Sequence, residues 1–130
     1  MKLWVGSAGL FGGLLLAVDA ATSHGTALDQ EAMRWIDLAS SYGMIHAVAM
    51  IAVGLLAFAR SPLHLVRRIS GTCFLLGILF FSGGLVTKAL TGSFPLSFLI
   101  PVGGALQILG WFLLAIFGLS CKATNERSVL

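Results

Sequence analysis

His24 and His46 are the first residues in this chain to raise a chemical question. His24 closes an apolar stretch in Thr22-Ser23-His24-Gly25. His46 opens the next one in Tyr42-Gly43-Met44-Ile45-His46-Ala47. Two imidazoles on neighbouring helices are one way to hold haem and a start on a zinc or copper site. Haem would need the rings facing each other at matched depth. A metal would need a third ligand, recruited from Glu31 or Asp19. The plainer reading makes His46 a packing residue. Tyr42 lies one turn earlier on its face, Gly43 and Ala47 form a close-packing strip beside it, and a neutral ring donates one hydrogen bond and accepts another. A loop carbonyl, Tyr42 or Ser82 would be the partners, and no cofactor or metal would be bound.

Asp19 and Lys88 are the charges set inside apolar stretches, each about two residues from an end. A charge in a membrane helix is costly, so it pairs, snorkels or contacts a partner. The spacing predicts matched depth for the two and an ion pair between the first and third helices. Gln107 is the remaining deep polar side chain, and its amide is expected to bond across helices. Cys73 and Cys121 lack any CxxC spacing and read as inert thiols. No nucleophile and base, phosphate loop or carboxylate cluster stands out, so no enzymatic activity is expected.

The elements that position these residues follow from composition. Of 130 residues, 58% are hydrophobic and 10% charged, and the mean hydropathy is +0.98. Such a chain is too apolar for a soluble domain and reads as an all-α integral membrane protein. Four stretches suffice to cross a bilayer, at about 3–21, 43–59, 69–90 and 98–119. They make one membrane domain, with a tail at 120–130. Lys2, the apolar core and Ala20-Ala21 also resemble a secretory signal peptide, but the stretch is read as a span. Ser61-Pro62 stops the second span, Thr91-Gly92-Ser93-Phe94-Pro95 separates the third from the fourth, and Pro101 falls in a first helical turn. Thr26 with Asp29 suggests a cap for a short interfacial helix carrying Met33, Ile36 and Ala39, anchored by Trp35.

The eight Lys and Arg residues form no basic stripe, which argues against nucleic acid despite a pI near 9.3. Lys2, Arg60, Arg67, Arg68, Lys122 and Arg127 fall on one side of the membrane, and Arg34 and Lys88 on the other. The positive-inside bias then makes both termini cytoplasmic, in a bacterial inner membrane. Gly9 and Gly13 in the first helix, and Gly103, Gly104 and Gly110 in the fourth, favour close helix contact. Contact within the chain is the default, and an oligomer interface the alternative.

The segments YGMIHAVAM, FFSGGLVTKALTG and IPVGGALQILGW, taken together, resemble domain of unknown function family 423, small membrane proteins of bacteria and mitochondria. The resemblance runs from the first helix through Trp111 and implies a four-helix membrane protein without an assigned activity. Where that family ends its first helix in a stretch like Gly-Ala-Phe-Gly-Ala-His, this chain has Asp19-Ala20-Ala21-Thr22-Ser23-His24, which keeps the histidine and lacks the glycines. Lys88 stands where the family carries an apolar or aromatic residue. The leading expectation is a non-enzymatic structural or accessory subunit, in contact with membrane lipid and with a larger complex or further copies of itself. A carrier or channel for a small solute or proton, using Asp19, His24, His46 and Lys88, is the alternative. A haem- or metal-binding protein is the third reading.

Overall fold

The computed structural model describes residues 2–24, 28–59 and 61–121. Four helices are long and apolar enough to cross a membrane: α1 (Lys2–Ser23), α2 (Gln30–Leu55, continued by a 3-10 turn at Leu56–Phe58), α3 (His64–Thr91) and α4 (Leu99–Ser120). At about 1.5 Å per residue, even the 22 residues of α1 or α4 exceed a hydrocarbon core of about 30 Å. The fold class is the expected one, four apolar spans and, among the described residues, no strand.

Turn chemistry sets the ends of the spans. Gly92 adopts φ +74°, a left-handed conformation that glycine takes freely, and its N–H bonds Lys88 O at 2.9 Å to close α3. Ser61 Oγ accepts from Leu63 N–H at 3.1 Å. It also shares a 2.6 Å hydrogen bond with Ser120 Oγ, which ties the α2–α3 connection to the end of α4.

One expectation needs correcting. The segment around Met33 is helical, but it is the first part of α2 and not a separate interfacial helix. Asp29 is the N-cap, its Oδ1 accepting from Ala32 N–H at 2.7 Å. Ile36, Ala39, Gly43, Ala47, Met50 and Val53 are all buried and follow one another at helical spacing without a glycine–proline break. The two apolar faces are therefore in phase, and one continuous helix buries both. Thr26, Arg60, Lys122, Arg127 and the tail beyond Cys121 lie outside the described residues.

α2 and α3 form the centre, with α1 and α4 packed on either side. The core joins Trp4, Ala8 and Leu15 of α1 to Ala47, Met50 and Val53 of α2 and to Phe74 and Ile78 of α3. Three buried polar side chains pin the helices together through backbone carbonyls. Arg67 Nη1 donates to Val53 O at 2.7 Å in the last turn of α2, where cations are favoured. Ser70 Oγ donates to Gly110 O and Ser82 Oγ to Ala39 O, both at 2.8 Å.

Halfway along α3 the α-helix gives way to a single π turn, Ile78–Ser82. Phe80 and Phe81 of this turn lie against Gly103 of α4. A Cβ built on Gly103 would sit 2.5 Å from Phe81 N, so only glycine lets the two backbones come this close.

Candidate functional site

The π turn, His46 and Gln107 meet at one place. His46 is 4% exposed, and its Nδ1 lies 2.6 Å from Tyr42 O one turn earlier in α2. A carbonyl only accepts, so Nδ1 carries the proton. Trp111 Nε1–H, which only donates, reaches Nε2 at 3.2 Å. His46 is thus a neutral imidazole with both nitrogens engaged, holding the indole of α4 in place. Its ring packs on Phe74 at 5.6 Å, and Phe74 meets Trp111 edge-on at 5.3 Å and 67°. Ser82, one partner the sequence suggested, bonds Ala39 O instead.

Beside His46 lies a cleft of about 400 Å³ between α2, α3 and α4, within the size range of ligand pockets. Tyr42 and Phe81 form one wall, edge to face at 5.7 Å and 72°. Trp111 and Gly104 also line it, and a Cβ on Gly104 would lie 3.7 Å from the Phe81 ring. The π turn carries Phe81 into this cleft while the next residue, Ser82, bonds α2.

Gln107 also lines the cleft, and it contradicts the expected cross-helix bond. It is 4% exposed, yet its Nε2 has no hydrogen-bond partner. The reason is what surrounds it. A Cβ on Gly77 would lie 2.5 Å from Gln107 Cγ, so the amide stem packs against a residue with no side chain to offer. An unpaired buried amide of this kind costs about 1–3 kcal/mol.

The expected Asp19–Lys88 pair is also absent. Lys88 Nζ stands 4.1 Å from the centroid of the Trp35 ring, a cation–π contact, and Asp19 forms no ion pair among the described residues. The cause is the continuity of α2. Because the helix is continuous, Trp35 lands beside the last turns of α3. Ile36, Ala32 and Ala89, with Val18 and Val86 against them, make an apolar cluster there. His24 is an exposed turn residue after α1, and neither hydrogen-bond partner of His46 is His24. Among the described residues no three His, Cys, Asp or Glu side chains gather as metal ligands would.

The small residues divide in two. Gly43 and Ala47 are buried, Gly43 against Leu15 and Ser82, and Gly103 abuts the π turn. A Cβ on Gly9 or Gly13 would meet nothing within 4 Å, so packing among the described residues does not account for either. Sequence reasoning missed Trp111, Phe81 and Phe74. The signal for Trp111 was present, since it follows Gln107 by four positions on the same helical face.

A family model described as a protein of unknown function, DUF423, matches residues 18–104. A UPF0382 membrane protein of Haemophilus influenzae is 34% identical over 116 residues, covering 88% of this chain and 91% of the relative. UPF0382 membrane proteins of Staphylococcus epidermidis and Staphylococcus haemolyticus are 30% and 31% identical over 118 residues, or 89% of this chain and 94% of theirs. No solved structure matches the chain.

Proposed function

The chain belongs to the DUF423 family of membrane proteins of unknown function, and from that premise we propose that it is a non-enzymatic accessory subunit of a larger membrane assembly. One observation carries this reading. Gly6, Gly9, Gly13, Ala17 and Ala20 recur at helical spacing on α1, and all five are exposed. A Cβ on any of the three glycines would meet nothing within 4 Å. Glycine costs a helix up to about 1 kcal/mol relative to alanine, and the contacts among the described residues give no return for it here. A strip of small residues facing outward is what a second transmembrane helix needs for close approach. The buried face of α1, with Trp4, Ala8, Leu15 and Thr22, lies opposite and binds the rest of the bundle.

In this reading the protein sits in a bacterial inner membrane with both termini cytoplasmic, the orientation favoured by its Lys and Arg distribution. A photo-crosslinking side chain introduced at Leu10, which is 60% exposed beside the strip, tests the proposal in native membranes. A single adduct with a different polypeptide is expected, lost when Gly9→Leu and Gly13→Leu are combined. Adducts at twice the 13.7 kDa of the chain would make the strip a self-association surface, and adducts with lipid alone would remove the subunit reading.

A further inference from the structure

We propose that the cleft beside Gln107 binds the head of a neutral, bilayer-dissolved ring compound bearing a carbonyl, of the quinone class. The walls determine the shape of the occupant. Tyr42, Phe81 and Trp111 present ring faces and edges around a space of about 400 Å³, which suits a flat ring better than an acyl chain. The mouth determines its source. Tyr42 and Trp111 are 46% and 45% exposed, on helices whose surroundings are lipid, so a ligand enters sideways from the bilayer.

Gln107 determines the chemistry. The residue is 4% exposed, and its amide nitrogen is a closed-off donor with no partner, in a setting where water is scarce. Turned about its terminal bond, the amide presents that donor to the cleft, where a ligand carbonyl satisfies it. Among the described residues no Asp, Glu, Lys or Arg lines the cleft, so an ionised headgroup meets no counter-charge from them. His46 is a positioning residue: both its nitrogens are engaged within the protein, and it fixes the Trp111 indole as a wall. The π turn that brings Phe81 into the cleft is a feature concentrated at functional sites. This site involves α2, α3 and α4, whereas the subunit proposal rests on α1, so either can fail without the other.

The test uses the full chain in lipid nanodiscs and a decyl-substituted 1,4-benzoquinone as probe. Quinone retained beyond that held by empty nanodiscs should saturate at one per chain and should quench Trp111 fluorescence, an effect missing in Trp111→Phe. Gln107→Leu keeps size and apolar packing, and it should weaken binding about tenfold through the lost donor. Gly104→Val should abolish binding by filling the cleft. A Cβ at that position reaches only 3.7 Å from the Phe81 ring, so the helices need not move. Retention equal to empty nanodiscs, or wild-type affinity in both cleft variants, would overturn the proposal. Equal displacement of the probe by didecanoylglycerol would overturn its ring specificity, because an ester lipid would then be the occupant.

Discussion

The seam between α3 and α4 and the outer face of α1 are built from the same residue and surrounded by opposite things. At the seam, Gly77, Gly103 and Gly110 each face an atom closer than a Cβ could tolerate. On α1, Gly6, Gly9 and Gly13 face nothing. Glycine therefore has two meanings in this chain. At the seam it lets backbones touch, and the fold depends on it. On α1 it leaves a groove the fold does not use. The glycines of this bundle can be ranked by what an added methyl group would strike, and that ranking predicts stability.

Gly103→Ala should have the largest effect. The new Cβ would lie 2.5 Å from Phe81 N and 3.0 Å from Phe80 C, and backbone cannot swing aside as a side chain can. Separating the helices at the π turn should cost about 3 kcal/mol, read as a lowered unfolding midpoint in detergent. An unchanged midpoint would mean the seam is looser than this geometry. Gly110→Ala should follow at about 2 kcal/mol, because its Cβ would press on the Phe74 ring at 2.6 Å. That ring is fully buried between His46 and Trp111, so it can yield only by disturbing both. Its second readout is a change in Trp111 fluorescence, which Gly103→Ala should show less.

Gly84→Ala tests the middle of the scale. Its Cβ would approach Ile100 Cγ1 at 2.8 Å and Phe94 Cε1 at 3.2 Å, near the first turn of α4. Ile100 is only half-buried and can change rotamer, so a loss within about 1 kcal/mol is expected. A loss as large as that of Gly103→Ala would show that the nature of the struck atom does not set the order.

Four spans were legible in the sequence because length, hydropathy and the breaks at Ser61-Pro62 and Gly92 report directly on what a bilayer demands. The run through α2 was not, since a polar stretch at Gln30-Glu31 and Asp37 looks like a surface helix until the phase of its buried face is followed into Gly43. That single error set Trp35 on a separate helix and left Lys88 to be matched with Asp19. The cleft was half legible. His46, Tyr42 and Gln107 were marked by type, but the π turn that admits Phe81 leaves no trace in a periodicity of 3.6. The glycine strips were visible as spacing in both helices. Only the coordinates separated the strip that is filled from the one that is open, because spacing names a face and not its neighbour.

The smallest effect on the chain itself is expected from Gly9→Ala combined with Gly13→Ala. Each new methyl would enter open space, so nothing inside the bundle resists it. Alanine is the better helix former, by up to about 1 kcal/mol per site in water, so the unfolding midpoint in detergent should hold or rise slightly. The same two methyl groups lie where a neighbouring helix would need to approach closely, and there they should act strongly. The pair is thus predicted to separate two quantities that move together at Gly103: stability of the isolated chain, which should not fall, and crosslinking from Leu10 to a neighbour in native membranes, which should drop. A fall in the midpoint would place α1 against a part of the chain that its open glycines do not reveal, and the contrast between the two regions would collapse. Retained crosslinking with a retained midpoint would show instead that the open strip faces lipid alone.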